Sequence, residues 1–495
     1  MRDVAQSFSD EVFGKDLGLE IGGQSRSGEG DKLPLINPSD GRTLGELSGA
    51  SAAQVDEAVA AARAAFTESG WATDAALRVA TLRKLADLVE ENAEVIAYLD
   101  AWEAGKVLAL SVAEDVPDVV ANLRFFIDLI EHDDGRYLRD TSGWGWVQKV
   151  PLGVVCAVLP WNFPIAMLGW KVAPALATGN AMVIKPSEDS SLSALYFARL
   201  AREAGVPDGI VNVIVGDGPG TGAALGRHGD IDMVTFTGSG EVGRLFLRYS
   251  AESNLKRVSL ELGGRAIYAV DAAHVSDLAA AAEDIAGAAF GNAGQNCTAS
   301  SRAVYVGPAD ERYEEFTKAL ADAAAGFTVG DPLADGTAMG PVINLEARDR
   351  ISSWVDEAVG AGAQVVHRQE DVPGDGFWIG PTVLRDVPAE TTLGTGEIFG
   401  PLTVLIRVDT REEAVALVND EDYGLASTVW CEDVNGVRWW ADRLRVGTLA
   451  FNGYSEGTVA TPFGGFRQSG FWGRDNGPEA MAGYQEAMTV WVSDN

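Results

Sequence analysis

The run Met233-Val-Thr-Phe-Thr-Gly-Ser-Gly-Glu-Val-Gly243 decides the fold class, because residues typical of a β-strand lead directly into a glycine-rich turn that opens a helix. Such a turn lets the backbone approach a pyrophosphate, and the N-terminus of the helix then faces the negative charge. The run therefore predicts a dinucleotide site. Taken alone the signal is weak, since short glycine matches are common in a chain with 57 glycines.

The alternation of strand and helix patterns extends outward from this run in both directions. Apolar β-type runs at 181–184, 211–215 and 233–237 alternate with amphipathic helical patterns at 191–204, 222–227 and 242–250. After residue 264, a second series places strands at 267–270, 303–306, 403–408 and 427–430 and helices at 278–290, 311–325 and 345–360. Alternation of this kind predicts an α/β fold with two parallel, doubly wound domains.

The two ends of the chain carry different patterns. The first thirty or so residues are polar and rich in glycine and serine, and we expect an irregular segment there, whereas 52–65 and 75–99 have apolar residues at helical spacing and predict two or three helices. Residues 150–159 form a β-type run, and the chain closes with a helix at 478–485 and an apolar strand at 488–492. A terminal apolar strand needs a partner edge, which an oligomer contact can supply.

Composition limits the partners. The net charge of −34 would repel nucleic acid and anionic membranes, and it suits either a protein kept soluble in high salt or an ordinary acidic protein. The three cysteines predict no disulfide framework and favour a reducing, cytoplasmic location. The longest apolar stretch, 153–170, contains two prolines and predicts a buried strand followed by a loop rather than a membrane span.

Catalytic chemistry is indicated by Cys297, in Phe290-Gly-Asn-Ala-Gly-Gln-Asn-Cys297, with Glu261 lying 36 positions upstream in Leu260-Glu-Leu-Gly-Gly264. A thiol nucleophile with a separate base predicts covalent catalysis, although a lone cysteine can also be a small buried apolar side chain. Asn162, in Leu159-Pro-Trp-Asn-Phe-Pro164, is an amide in a loop fixed by two prolines, which suits an oxyanion donor or a simple turn.

A ribose site is predicted at Val183-Ile-Lys-Pro-Ser-Glu188, at the end of a strand. Lys185 and Glu188 could both reach ribose hydroxyls, and the carboxylate would repel a 2′-phosphate, which favours NAD over NADP. The alternative is a solvated turn with a helix cap.

Seven motifs in order make a resemblance specific. They are Pro160-Trp-Asn-Phe-Pro164, Lys185-Pro-Ser-Glu188, Phe236-Thr-Gly-Ser239, Leu260-Glu-Leu-Gly-Gly264, Gly294-Gln-Asn-Cys297, Glu397-Ile-Phe-Gly-Pro401 and Pro462-Phe-Gly-Gly465. From about residue 30 to its end, the chain resembles NAD(P)-dependent aldehyde dehydrogenases. It is similar above all to their aminoaldehyde, betaine-aldehyde and γ-glutamyl-γ-aminobutyraldehyde branches.

The resemblance implies a role for each matching position. Cys297 would be the nucleophile, Glu261 the general base, and Asn162 with the Cys297 backbone N–H the oxyanion hole. The cofactor, NAD rather than NADP, would be held by Trp161, Lys185, Ser187, Glu188, Gly222, Gly238, Ser239, Val242, Leu262, Glu397 and Phe399. The aldehyde would be lined by Asp118, Phe163, Trp170, Asn296, Thr298, Tyr454 and Phe463, with Glu456 nearby. No metal is required.

The resemblance also implies an assembly and a domain plan. We expect an aldehyde dehydrogenase-like fold in which 1–132 and 152–263 form the NAD-binding domain and 264–468 the catalytic domain. Residues 133–151 and 469–495 would form a small β oligomerisation element, and the protein would be a homodimer or a homotetramer. Arg265, Gly396 and Gly240 depart from the family's usual residues, and Trp472 resembles an insertion near the subunit contact.

The substrate stays open between several classes. Asp115 and Asp118 precede the apolar helix 119–126, as carboxylates do in aminoaldehyde dehydrogenases, and they would attract a cationic amine; in so acidic a chain they could equally be helix caps. An aliphatic, aromatic or semialdehyde substrate is the alternative. A CoA-dependent acylating enzyme is disfavoured by Glu261, and a catalytically silent protein is disfavoured because Cys297, Glu261 and Asn162 all occur together.

Overall fold

The first sheet of the fold has eight strands and contains the run at 233–237. In this computed structural model, which describes residues 2–132 and 134–494, the first sheet comprises β1 (Leu19–Ile21), β2 (Gln24–Arg26), β7 (Val154–Val158), β8 (Ala181–Lys185), β9 (Val211–Ile214), β10 (Met233–Thr237), β11 (Arg257–Glu261) and β19 (Gly470–Phe471). Their order is β19-β11-β10-β7-β8-β9-β1-β2. The five central strands are parallel, and the outer ones pair antiparallel.

The helices of this half cover both faces of the sheet. They are α1 (Arg2–Lys15), α2 (Ala52–Glu68), α3 (Ala75–Glu91), α4 (Ala93–Ala104), α5 (Leu108–Leu110), α6 (Val116–Ile130), α7 (Pro164–Ala177), α8 (Leu192–Ala204), α9 (Ala223–Arg227) and α10 (Gly240–Glu252). Because helices lie on both sides, β7 and β8 are buried along their length; β7 is an unbroken apolar run, and β8 is apolar up to its last residue, Lys185.

A second sheet of seven strands repeats the plan. Its strands are β12 (Ile267–Asp271), β13 (Arg302–Val306), β14 (Gln364–Arg368), β15 (Thr382–Arg385), β16 (Leu402–Val408), β17 (Ala426–Trp430) and β18 (Thr448–Phe451). They are ordered β14-β15-β16-β13-β12-β17-β18, and only β14 runs antiparallel. The helices here are α11 (Leu278–Phe290), α12 (Glu311–Ala325), α13 (Leu345–Gly360), α14 (Thr392–Thr395), α15 (Arg411–Asn419) and α16 (Val434–Ala441).

Two smaller sheets complete the structure. β5 (Arg136–Arg139), β6 (Gly143–Pro151) and the C-terminal β20 (Gln485–Ser493) form an antiparallel sheet, and helix α17 (Gly477–Gly483) precedes β20. β20 pairs with β6 along its whole length, from Gln485 opposite Pro151 to Ser493 opposite Gly143. β3 (Lys32–Ile36) and β4 (Thr43–Ser48) form a separate hairpin.

The predicted α/β class and parallel sheets are confirmed, and the predicted bounds of α11, α12 and α13 match the structure. The expectation of an irregular segment over the first thirty residues is wrong. Helix α1 buries Ala5, Phe8 and Val12 on one face, and Phe8 packs edge-on against Tyr196 at a centroid distance of 5.0 Å. Three apolar residues at helical spacing are enough to bury one face of α1, because its remaining faces are exposed to solvent and can be polar.

Candidate active site

A cavity of about 910 Å³ opens where carboxyl ends of strands from the two large sheets approach each other. From the first sheet it is lined by 160–163 after β7, by 237–239 after β10 and by 261–263 after β11. From the second half of the chain it is lined by residues 296 and 297 after α11 and by 456–459 after β18. Residues far apart in sequence therefore share one enclosed space.

Most of the predicted site residues line this cavity. They are Cys297, Glu261, Asn162, Trp161, Gly238, Ser239, Leu262, Glu397, Phe399, Asp118, Phe163, Trp170, Asn296, Tyr454 and Phe463. The predicted residues Lys185, Ser187, Glu188, Gly222, Val242 and Thr298 are not part of its lining.

Cys297 lies at the end of a tight turn that follows α11. Asn292 and Ala293 adopt φ of 50° and 54° there, and a side chain on Gly294 would collide with the Gly400 carbonyl. Cys297 packs against a small apolar cluster formed by Trp170, Leu425 and Phe463. Burial, followed by the negative charges of Glu456, Glu397 and Glu261, raises the pKa of Cys297 well above its ordinary value. The thiol form is therefore favoured near neutral pH.

The Asn162 amide is tied to the turn that carries the cysteine. Asn162 Nδ2 donates to the Gln295 carbonyl at 2.9 Å, and the Asn162 carbonyl accepts from Asn292 Nδ2 at 2.8 Å. The loop after β7 and the cysteine turn are thus held in one relative position. An amide donor that is fixed beside the thiol in this way suits the stabilisation of an oxyanion.

Glu261 ends β11 with a buried carboxylate. It is 4% exposed, and neither carboxylate oxygen accepts a hydrogen bond from another side chain among the described residues. Burial first, and then the charge of Asp475, raises its pKa well above the ordinary value, while Lys171 opposes this shift. Gly464 is required beside it, because a Cβ there would lie 2.6 Å from Glu261 Oε1. A buried carboxylate with a raised pKa is suited to general base catalysis near neutral pH.

The opposite end of the cavity has features that fit a dinucleotide. Helix α10 points its N-terminus at the cavity, with Ser239 as the N-cap that accepts from the Val242 N–H at 3.3 Å. Glu397 Oε1 accepts from the Gly264 N–H at 2.8 Å, and burial raises the pKa of Glu397 to about 7. A side chain on Gly263 would collide with that carboxylate, so the backbone must stay bare there.

Aromatic rings and a buried lysine extend this end. Trp161 meets Phe399 edge-on, with centroids 5.4 Å apart. At the end of β8, Lys185 Nζ lies 3.2 Å from Glu188 Oε2 and 3.0 Å from the Pro186 carbonyl, and Lys185 is 3% exposed while the Glu188 side chain is 41% exposed. Helix α8, which follows, takes its capping hydrogen bonds from Glu103 instead of from residues 185–188.

The other predicted cofactor residues lie around this corner. A Cβ on Gly222 would approach Lys185 Cδ to 3.8 Å, so the two residues are neighbours. Ser187 is buried, and Val242 is 38% exposed on α10.

Two aspartates before the apolar helix have separate roles. Asp118 Oδ2 accepts from Trp170 Nε1 at 2.5 Å, whereas Asp115 forms an ion pair with Lys106 at 3.1 Å. Burial raises the pKa of Asp118 to about 6. The interpretation of both as helix caps is wrong: Asp115 makes no capping bond, because residues 108–115 already form helical turns and the Val116 N–H bonds to the Ser111 carbonyl.

A hydrogen-bonded cluster lies on the far side of the cysteine. Thr298 Oγ1 and the Tyr454 hydroxyl both donate to Glu456 Oε1 at 2.6 Å, and Asn296 Nδ2 donates to the Tyr454 hydroxyl at 3.1 Å. Thr298 is completely buried, whereas its partner Glu456 lines the cavity together with Asn296 and Tyr454. Trp170 and Phe463 complete this end, with ring centroids 4.9 Å apart.

Sequence reasoning missed three charged residues of this region, Lys106, Lys171 and Asp475. Lys171 and Asp475 form an ion pair at 2.5 Å, and both are almost completely buried. A signal for Lys171 was present, since it is the one charged residue in the apolar helix 164–177. The partner of either lysine could not be read from spacing, because each pair is closed by tertiary contact.

The aldehyde dehydrogenase family model matches residues 25–490 of this chain. The chain is 36% identical over 478 residues to the NADP/NAD-dependent aldehyde dehydrogenase PuuC of Escherichia coli, covering 96% of this chain and 95% of PuuC. It is 37% identical to the aminoacetaldehyde dehydrogenase of Pseudomonas aeruginosa, covering 94% of this chain and 92% of that protein. Among solved structures it is similar to a mutant of the P. syringae indole-3-acetaldehyde dehydrogenase AldA in complex with NAD+ and IAA, with a TM-score of 0.94, 34% identity and 99% of each chain covered.

None of the helices within residues 2–132 and 134–494 is long and apolar enough to cross a membrane.

Proposed function

The chain belongs to the aldehyde dehydrogenase family and is an oxidoreductase that acts on aldehydes, and we propose that it does so by covalent catalysis on Cys297. The observation that carries this proposal is that Cys297, Glu261 and Asn162 line one cavity whose other end has the features of a dinucleotide site. A catalytically silent protein would have no need for a thiol, a buried base and an amide in one enclosed space.

Cys297 and the Asn162 amide carry out the first step. After the Cys297 thiol has lost its proton to water, the thiolate adds to the carbonyl carbon, and the carbonyl oxygen becomes an oxyanion that accepts from Asn162 Nδ2 and the Cys297 backbone N–H. A bound nicotinamide cofactor would supply the hydride acceptor, and loss of hydride from the former aldehyde carbon would leave a thioester on Cys297. Glu261 then takes a proton from water as the water oxygen attacks the thioester, and the carboxylic acid leaves while the thiolate is restored.

The residues at the dinucleotide end support NAD over NADP. Glu397 offers a buried carboxylate to ribose hydroxyls, and the half-exposed Glu188 carboxylate would repel a 2′-phosphate. Replacing Glu188 by Gln should therefore raise kcat/KM for NADP relative to NAD. If the ratio is unchanged, selection between the two cofactors does not depend on this carboxylate.

An aminoaldehyde is the substrate that we propose. Its support is the acidic lining of the substrate end, where Asp118, Glu114 and Glu456 exceed the positive charge of Lys106, already paired with Asp115. A relative named for aminoacetaldehyde agrees with this choice. The alternative is an uncharged aromatic or aliphatic aldehyde or a semialdehyde, and the Trp170 and Phe463 rings favour the aromatic class.

The test is formation of reduced nicotinamide by purified protein with a panel of aminoaldehydes, betaine aldehyde, aliphatic and aromatic aldehydes and succinic semialdehyde. The control is Cys297→Ala, which should bind NAD and turn over none of them. Preference for cationic aldehydes supports the substrate proposal. Turnover by Cys297→Ala equal to that of the unmodified protein would exclude covalent catalysis on this residue.

We also propose the domain boundaries 1–132 with 152–263, 264–468, and 133–151 with 469–495, and a homodimer or homotetramer. Support for the assembly comes from exposed apolar side chains on the sheet of β5, β6 and β20, which include Tyr137, Met488 and Trp491. Light scattering of the purified protein, compared with that of Trp491→Glu, tests the assembly. Cytoplasmic location stays a prediction from the cysteine usage.

A further inference from the structure

Lys106 is a buried cation that contacts the loop carrying Asn162. Its side chain is 5% exposed, and its Nζ donates to the Asn162 carbonyl at 3.3 Å. The same Nζ lies 3.6 Å from the centre of the Phe163 ring and 3.1 Å from Asp115 Oδ2. One ammonium group therefore contacts both residues of the loop that supplies the amide.

The lysine reaches this position from a different part of the chain. Helix α4 ends at Ala104, and Gly105 closes it with φ of 70°. A Cβ on Gly105 would come within 2.8 Å of Pro341, so the glycine permits a close approach that brings Lys106 to the cavity wall. Lys106 lies 56 residues before Asn162, and no local sequence pattern connects the two.

Asp115 makes the buried charge tolerable. A lone ammonium in such a site would be costly, and a paired carboxylate that is itself 8% exposed offsets that cost. Asp115 is thus engaged by Lys106, and it is not free to attract a substrate. This separates its role from that of Asp118, which bonds to Trp170.

The backbone of Asn162 is consequently fixed from two directions. Lys106 donates to its carbonyl from one side, and Asn292 of the cysteine turn donates to the same oxygen at 2.8 Å. The side-chain amide bonds to Gln295. Without Lys106, the Asn162 carbonyl would keep only the Asn292 donor among the described residues, and the amide could shift relative to an oxyanion on the substrate.

We propose that Lys106 is a positioning residue that, with Asp115 as its counter-ion, holds the Asn162 amide where the oxyanion forms. This inference rests on the proposed function, because it assumes that Asn162 donates to that oxyanion. A misplaced donor lowers the rate of the chemical step and leaves substrate binding largely intact.

The experiment is a double-mutant cycle between Lys106→Met and Asn162→Ala. Its first readout is acylation of Cys297 by an activated aryl ester, which forms an oxyanion without cofactor. Its second is kcat and KM for the preferred aldehyde. Lys106→Met should lower the acylation rate and kcat by about 10- to 100-fold with little change in KM. In the Asn162→Ala background it should have almost no further effect, because no amide remains to be positioned.

Three further variants keep the test sound if Lys106→Met folds poorly. Lys106→Met with Asp115→Asn removes both charges, so no buried carboxylate is left unpaired, and it should show the same loss. Lys106→Arg should recover part of the rate. Lys256→Met is the matched control, because Lys256 is equally buried and holds the Gly226 carbonyl at 2.8 Å far from the cavity.

The outcomes separate this inference from the proposed function. If Asn162→Ala lowers acylation while the Lys106 variants do not, or if the two losses multiply, the positioning role is overturned and the covalent mechanism stands. If Asn162→Ala leaves acylation unchanged, the oxyanion assignment itself fails.

Discussion

Two buried lysine–aspartate pairs lie beside the active-site cavity, and they differ in what each lysine touches besides its aspartate. Lys106 pairs with Asp115 and also contacts the Asn162 carbonyl and the Phe163 ring. Lys171 pairs with Asp475, and that is its one side-chain hydrogen bond within the described part of the chain. Similar ion pairs can therefore have different effects: the lysine of the Lys106–Asp115 pair contacts a loop directly, whereas the Lys171–Asp475 pair acts on Glu261 through its charges.

The Lys171–Asp475 pair matters for catalysis only if Glu261 is the general base. Glu261→Gln should lower kcat by about 10²- to 10⁴-fold, because the water that attacks the thioester loses its base. A single-turnover burst of reduced nicotinamide should remain, since thiolate attack precedes that step. Rapid mixing with NAD and aldehyde measures both quantities. Loss of the burst together with kcat would place Glu261 before the thioester, contrary to the proposal.

Unlike Asp115 and Asp475, which each pair with a lysine, Asp100 is a completely buried carboxylate that forms no ion pair among the described residues. Burial raises the pKa of Asp100 to about 7, so the protonated form of its carboxyl is favoured in the folded state below that pH. Its contribution to stability is present below the ordinary pKa near 3.8 and is lost as the pH rises through about 7.

Asp100→Asn should therefore make the protein more stable than the unmodified chain by a few kcal/mol at pH 8, with a smaller gain at pH 5.5. Urea unfolding at the two pH values measures the difference. Glu94→Gln, at an exposed position on the same helix, is the control and should have little effect at either pH. Equal gains at both pH values would mean that Asp100 does not titrate in this range.

The pair beside Glu261 can be tested by removing one charge at a time. Lys171→Met should raise the pKa of Glu261 further, because a positive charge that favours the carboxylate is lost, whereas Asp475→Asn should lower it. The pH profile for hydrolysis of the acyl-enzyme should move by about one pH unit to the alkaline side in Lys171→Met and by about one unit to the acid side in Asp475→Asn. Removing both charges should return the profile towards its original position. Two shifts in the same direction would exclude an electrostatic cause.

The smallest expected effect concerns Asp118, which shares a helix with neither lysine but faces the same cavity. Asp118→Asn should lower kcat/KM for an aminoaldehyde by about fivefold relative to an uncharged aldehyde of similar length, since the carboxylate is only partly shielded from solvent. The loss should vanish below pH 6, where Asp118 is protonated. Asp128→Asn, exposed on the same helix, is the control. An equal loss with both aldehydes would indicate a packing role for Asp118 through Trp170.

Much of the fold could be predicted because its signals are local. The bounds of α11, α12 and α13 follow from apolar spacing and from acidic or polar residues at their N-termini. Helix α1 and the antiparallel strands β1 and β2 were missed, because α1 buries only four of its 14 residues and strands of three residues are too short to leave a pattern.

The sequence by itself determined the α/β class, and it singled out a candidate strand-turn-helix site for a dinucleotide and Cys297, Glu261 and Asn162 as candidate catalytic residues, because each is marked by residues close to it in the chain. Only the tertiary structure decided that Asp115 is the counter-ion of Lys106 while Asp118 bonds to Trp170. It also decided that Lys171 and Asp475, 304 residues apart, form the pair beside Glu261. The physical reason is that ion pairing and burial act between groups that meet in space, and spacing along the chain does not record which groups meet.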